Sequence, residues 1–133
     1  MNHPITQEEI DATSKIDFVV PLKQVGLITK AVLEAIWKFY RPRRIIVVTA
    51  EADTIALARL APYWDCGGVV ECLAEEKFFM PNFGLTLEDI KAQYGYGRPG
   101  NSREPGWWIQ QLIKFGAGSQ IPDISDVYSV WDG

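Results

Sequence analysis

The chain has 133 residues and a mass of 15.0 kDa, the size of one compact domain. Hydrophobic residues make up 47% of it and charged residues 23%, as in an ordinary globular protein. The formal net charge of −4 argues against non-specific binding to nucleic acid or to an anionic membrane, because both require a basic surface.

The sequence also bears on the compartment. Its two cysteines, Cys66 and Cys72, have neither the number nor the spacing of a disulfide scaffold or a zinc site, so we expect reduced thiols. Residues 1–15 are polar and lack the pattern of a signal peptide. No apolar run approaches the roughly 18 residues that a membrane span needs. These features predict a cytoplasmic protein with no membrane partner.

Three apolar segments alternate with two helical patterns in the first half of the chain. The segments Ile16–Leu22, Arg44–Ala50 and Val69–Leu73 are rich in β-branched residues and predict buried strands of a parallel sheet. Between the first two, apolar residues recur at helical spacing, and this face is predicted to pack on the core: Val25, Ile28, Val32, Ile36 and Phe39. The second helix is predicted over 52–60, and the residues it offers to the core are Ile55, Ala58 and Leu60.

The segment from Glu75 to Gly106 contains too many prolines and glycines for continuous structure. One short helix is predicted within it, because Thr86 and Asp89 have the spacing of a capping box. A longer helix is predicted from Trp107 to Phe115, ended by Gly116 and Gly118. Val127–Trp131 then predicts a fourth strand.

The alternation of strands and helices predicts an α/β fold: a three-layer arrangement around a mostly parallel, Rossmann-like sheet of about four strands. Residues 16–133 form the predicted domain, preceded by a polar extension over 1–15. No loop follows the fourth strand, where open α/β folds bind ligands, so we expect the chain to be a truncated version of a longer protein.

The helix that begins at Trp107 has two distinct faces. At helical spacing, Trp108, Leu112 and Phe115 predict a core stripe. A second stripe carries Trp107, Gln111 and Lys114, which combine a stacking ring, an amide and an ammonium. Either this stripe contacts a ligand or it is the solvated side of an amphipathic helix.

A known family shows the same pattern. The segment from Gly106 to Lys114 reads Gly-Trp-Trp-Ile-Gln-Gln-Leu-Ile-Lys, and a strand ending in Trp-Asp-Gly follows it. With the strands Phe18–Leu22 and Ile45–Ala50, it resembles glycosyltransferase-like proteins of the GT-A (nucleotide-diphospho-sugar transferase) fold. The resemblance covers nearly the whole chain from Ile16, and the Trp-Trp-x-Gln-Gln helix is its most specific part. It implies a donor-binding half that takes a UDP- or GDP-sugar.

The resemblance also implies roles for particular residues. Five of them would border the base and ribose: Pro21, Leu22, Thr49, Ala50 and Glu51. The sugar-phosphate would face Arg103, Gln111 and Lys114, and Trp107 would also belong to the substrate-binding set. Asp132 matches the first position of the family's Asp-x-Asp element, which implies a divalent cation, Mn²⁺ or Mg²⁺. The element's second carboxylate would be residue 134, beyond this sequence, and one carboxylate is a poor metal site.

Other interpretations stay open. The catalytic residues are unknown and the acceptor-binding half is missing, so this chain alone is expected to be inactive in transfer. The alternative is a catalytically silent α/β binding or interaction module that keeps the fold. Glu75 and Glu76 are either near a ligand or a solvated pair. An exposed sheet edge would favour a homodimer.

Overall fold

The computed structural model describes residues 4–84, 86–94 and 105–131. Helices and strands alternate along most of this part of the chain. In order, the elements are α1 (Gln7–Thr13), β1 (Asp17–Pro21), α2 (Leu27–Tyr40), β2 (Arg44–Thr49), α3 (Glu51–Leu60), a 3-10 turn (Ala61–Tyr63), β3 (Val70–Ala74), α4 (Glu75–Phe83), α5 (Leu87–Tyr94), α6 (Pro105–Gln120) and β4 (Tyr128–Val130). None of the described helices is long and apolar enough to cross a membrane.

The four strands form one sheet in the order β3-β2-β1-β4, and every pair is parallel. This confirms the predicted α/β class and parallel sheet, and each predicted strand end lies within one residue of its observed position. The chain moves outward from β1 through β2 to β3 and then crosses to the other side of β1 to form β4. The strand order therefore reverses between β1 and β4, and ligands of open α/β sheets bind at such a point.

Both faces of the sheet are covered, which confirms the three layers. One face packs on α2 and α3, and its buried residues are Phe18, Val20, Leu22, Leu33, Ile36, Ile45, Val47, Leu57 and Cys66. The other face packs on α4, α5 and α6, and its buried residues are Val19, Ile46, Val48, Phe78, Phe79, Ile90, Ile109, Ile113, Ala117 and Ile121. Successive residues of β1 and β2 point to opposite faces, so strands buried on both sides need apolar residues throughout.

The predicted core faces of α2 and α3 are partly wrong. In α2 the buried residues are Thr29, Leu33 and Ile36, whereas Ile28 and Phe39 are exposed. The other three predicted residues do face the core: Ile36 is buried, and Val25 and Val32 are partly buried against it. In α3 the core residue is Leu57, and the three residues predicted to pack there are exposed: Ile55, Ala58 and Leu60.

Within the described residues, the segment after β3 contains more helix than its prolines and glycines suggest. Helix α4 was missed; it begins directly after β3 and continues through Pro81, because Phe78 and Phe79 anchor it in the core. The capping box before α5 is confirmed: the Asp89 N–H donates to Thr86 Oγ1 at 3.0 Å, and the Thr86 N–H donates to Asp89 Oδ2 at 2.9 Å. Hydrogen bonds from the backbone N–H and from the side chain of Thr86 lower the pKa of the Asp89 carboxyl.

Helix α6 corrects two further predictions. It does not end at Gly116 but continues to Gln120. Gly118 allows a close approach rather than a helix end, since a Cβ there would lie 2.8 Å from the hydroxyl of Tyr128. The buried line of α6 is Ile109, Ile113 and Ala117. Phe115, predicted to be core, is 85% exposed.

Candidate functional site

The carboxyl ends of β1 and β2 lie side by side. Pro21 is the register partner of Val48, and the N–H of Leu22 donates to the carbonyl oxygen of Val48 at 2.9 Å. Thr49 ends β2, and Ala50 and Glu51 follow it directly into α3. The fold therefore brings five of the predicted ligand residues to one edge of the sheet, namely Pro21, Leu22, Thr49, Ala50 and Glu51.

A cavity of about 550 Å³ opens at this edge, within the size range of small-molecule sites. It lies between the end of β1 and the first turns of α2. Its lining residues are Leu22, Lys23, Gln24, Gly26, Leu27, Ile28, Thr29 and Val32. Of these, only Leu22 belongs to the predicted ligand set.

The walls of the cavity combine apolar and polar groups. Leu27 and Ile28 are 88% and 80% exposed, so two large aliphatic side chains stand open to solvent beside it. Gly26 is the N-cap of α2 and offers no side-chain hydrogen bond to the first turn; its own N–H donates to Thr29 Oγ1 at 2.9 Å. The first N–H groups of a helix have no partner within the helix. The cavity therefore offers apolar contact next to backbone donors.

One wall of this cavity was predicted to be core. Ile28 was expected on the core face of α2, but it is exposed, as is Leu27 beside it. Adjacent residues of a helix lie roughly 100° apart around its axis, so the two aliphatic side chains do not by themselves show which of them faces outward.

The neighbouring end of β2 has its own polar arrangement. The hydroxyl of Thr49 is buried, and among the described residues it has no hydrogen-bond partner. The N–H of Glu51, at the start of α3, donates to Glu76 Oε2 at 3.1 Å. A carboxylate at a helix N-terminus is stabilised by the helix dipole. Glu76 therefore joins the start of α4 to the start of α3, a structural role that neither prediction for Glu75 and Glu76 included.

The predicted stripe on α6 is described only in part. Gln111 and Lys114 are half-buried on this helix, which packs against β1. The backbone of Trp107 lies near the start of α6. Its side chain, and the residues Arg103 and Asp132, lie outside the described residues. The contact of this stripe with a ligand stays a prediction.

The described residues do not by themselves suit a metal ion. In the described part of the chain, no group of three or more His, Cys, Asp or Glu side chains is arranged to hold one. The predicted ligand Asp132 lies outside that part. The divalent cation remains an expectation from the resemblance, and we derive no step through it.

Neither cysteine has the environment of a nucleophile. Both thiols are free, and burial raises the pKa of Cys66 to about 11, with the carboxylates of Glu34 and Asp65 adding to the effect. Burial also raises the pKa of Cys72. Thiolates are the reactive form, and these environments disfavour it.

The thiol environment leads to a labelling prediction. In a Cys72→Ser protein at pH 8, iodoacetamide should modify Cys66 at least about tenfold more slowly in the folded than in the urea-unfolded state, because the folded thiol is both buried and protonated. Mass spectrometry of timed samples measures both rates. Equal rates would contradict the burial of Cys66.

Comparisons of the chain with family models, with curated proteins and with solved structures give no match. The likeness to GT-A glycosyltransferase-like proteins therefore rests on the quoted residues. The α/β fold with its parallel sheet rests on the structure itself.

Proposed function

We propose that this chain binds a nucleotide-diphospho-sugar at the carboxyl edge of its sheet, as the donor half of a glycosyltransferase-like protein. The observation that carries the proposal is the cavity between the end of β1 and the start of α2. It lies next to the strand at which the strand order reverses, where ligands of open α/β folds bind.

The chemistry of the cavity suits the two halves of such a ligand. The aliphatic side chains of Leu22, Ile28 and Val32 offer an apolar surface to a planar base. Helix N-termini attract phosphate, because their N–H groups point outward and the helix dipole favours negative charge. In this proposal the first turn of α2 and the side chain of Lys114 face the diphosphate, while Thr49 and Glu51 border the ribose.

The proposal is tested by binding in solution. Titration of ¹⁵N-labelled protein with UDP-glucose and with GDP-mannose should shift the amide signals of residues 22–29 and 49–51 more than those of the amino edge of the sheet. Calorimetry on the same samples gives the affinity. The absence of binding to both ligands would refute the proposal.

A substitution at the rim of the cavity tests whether the ligand binds there or elsewhere on the surface. Ile28→Glu should weaken binding by about tenfold or more, because its carboxylate repels the diphosphate and removes apolar contact. Ile28 is 80% exposed, so folding should change by less than about 0.5 kcal/mol. Calorimetry and thermal melts measure the two effects.

The matched control is Ile55→Glu on α3, since Ile55 is also exposed, at 55%, but does not line the cavity. It should leave the affinity unchanged. If both substitutions weaken binding equally, the effect is one of net charge and the cavity is not the site.

The second candidate is a binding module that recognises another protein. The exposure of Leu27 and Ile28 favours it, because neighbouring exposed aliphatic side chains are common at protein interfaces. In that case UDP-glucose and GDP-mannose would not bind, and Ile28→Glu would change association with a partner rather than with a nucleotide.

A further inference from the structure

The amino edge of the sheet, opposite the cavity, holds a network of ionic and hydrogen bonds around Asp17. This residue begins β1 and is fully buried. Its Oδ2 atom accepts hydrogen bonds from Nε and Nη2 of Arg44, at 3.2 and 2.7 Å. Arg44 begins β2 and also reaches Glu71 on β3 through Nη1 at 2.9 Å. One guanidinium thus joins the first three strands.

The same network holds the connection from α6 to β4. The N–H of Ser125 donates to Asp17 Oδ2 at 3.0 Å, and Ser125 Oγ accepts from the N–H of Asp17 at 2.9 Å. The Ser125 hydroxyl in turn donates to the carbonyl oxygen of Val127 at 2.7 Å, just before β4. Arg44 Nη2 donates to the carbonyl oxygen of Asp123 at 2.9 Å, and Arg43 Nη2 bonds the Asp123 carboxylate at 2.9 Å.

Strand β4 is short and lies at one edge of the described sheet. It has three residues, and among the described strands it pairs only with β1. Beyond the strand, the N–H of Trp131 donates to the carbonyl oxygen of Val19 at 2.9 Å. The Trp131 indole stacks on Phe18 with ring centroids 5.6 Å apart. A slip of one residue would move the end of β4 by about 3.3 Å and turn each side chain to the opposite face.

We propose that Ser125 is a positioning residue: through its paired hydrogen bonds with Asp17 it fixes the register of β4. The register in turn sets where the carboxyl end of β4 lies beside β1, at the point of strand-order reversal where open α/β sheets bind ligands in a crevice. The inference about the crevice rests on the proposed function; the inference about register does not. Ser125 lies at the amino edge, so it acts on the crevice through the strand and without contact to the ligand.

Hydrogen exchange of single amides tests the register. In Ser125→Ala, the Trp131 amide should exchange about tenfold faster or more, since the lost hydroxyl both anchors β4 and satisfies the buried N–H of Asp17. The amides of Leu22 and Ile45, which bond to Val48 and Val69, should keep their exchange rates. The affinity for UDP-glucose should fall by about tenfold.

Two variants control for general effects. Ser125→Thr keeps the hydroxyl and should restore both the exchange rate and the affinity. Ser119→Ala removes a hydroxyl from α6 that donates to the carbonyl oxygen of Gly116 and accepts from Gln120 Nε2, both in the same helix, and it should change neither.

Two results would overturn the proposal. Equal acceleration at Trp131, Leu22 and Ile45 would mean that Ser125 contributes only to overall stability. Selective acceleration at Trp131 with unchanged UDP-glucose affinity would mean that β4 does not position the crevice. If the wild type binds neither UDP-glucose nor GDP-mannose, the proposed function fails, while the exchange rates still decide whether Ser125 holds β4 in register.

Discussion

Asp17→Ala is expected to lower the free energy of unfolding by about 3–5 kcal/mol, the cost of removing one partner from a buried ion pair. Asp17 is fully buried, and its carboxylate accepts from Arg44 and from the N–H of Ser125. The hydrogen bond to Asp17 is the main cause that raises the pKa of Arg44. Without Asp17 the guanidinium still stays charged, because an arginine side chain does not deprotonate in proteins. Urea denaturation followed by circular dichroism measures the loss.

Two variants show whether the loss comes from the buried charge. Asp126→Ala removes an exposed carboxylate from the same connection and should change stability by less than about 0.5 kcal/mol. Asp17→Asn keeps an acceptor for the Ser125 N–H and should fall between the other two variants. A loss below about 1 kcal/mol in Asp17→Ala would contradict a structural role for the network.

The sheet could be predicted from the sequence because its strands are buried on both faces. Val19 and Val20 pack on opposite sides, and such strands must be apolar at successive positions, a pattern that few loops imitate. The parallel arrangement followed, since a helical pattern lies between each pair of predicted strands. The structure adds the strand order β3-β2-β1-β4, which says which strands are neighbours. The local sequence pattern does not determine that order.

Helix faces were harder to predict, because several helices carry more apolar residues than the core takes up. Phe115 is 85% exposed although it fits a helical stripe, and the sheet instead contacts Ile109 and Ile113. In α4, Pro81 indicated a break, but the buried Phe78 and Phe79 hold the helix against the sheet. In both cases tertiary packing, and not the local sequence pattern, determines the structure.

The sequence predicted the edge of the sheet at which the candidate site lies, but it did not predict the cavity there. Pro21, Leu22 and Thr49 were expected at the carboxyl edge because they end strands, and the structure places them there. The cavity depends on how the loop after β1 turns into α2. Gly26 and the outward direction of Ile28 decide that geometry, and no periodic pattern encodes it.

Gly67→Ala is expected to lower the free energy of unfolding by roughly 2–5 kcal/mol, since two costs combine at this turn. Gly67 has a φ of +65°, a backbone conformation that side chains disfavour. A Cβ on Gly67 would also lie 2.3 Å from the indole of Trp37. Trp37 is at the same time covered by the Arg41 guanidinium, 4.9 Å from the ring, so the indole has little room to move away.

A substitution at the next residue, Gly68, measures the backbone cost without the clash. Gly68 has a φ of +68°, but a Cβ there would meet no atom within 4 Å. Gly68→Ala should therefore carry only the backbone cost, about 1–2 kcal/mol. Urea denaturation gives both losses, and near-ultraviolet circular dichroism reports whether Trp37 shifts in the Gly67 variant alone. Equal losses in the two variants would show that the indole moves aside freely, and that the turn needs glycine at position 67 for its backbone conformation and not for its contact with Trp37.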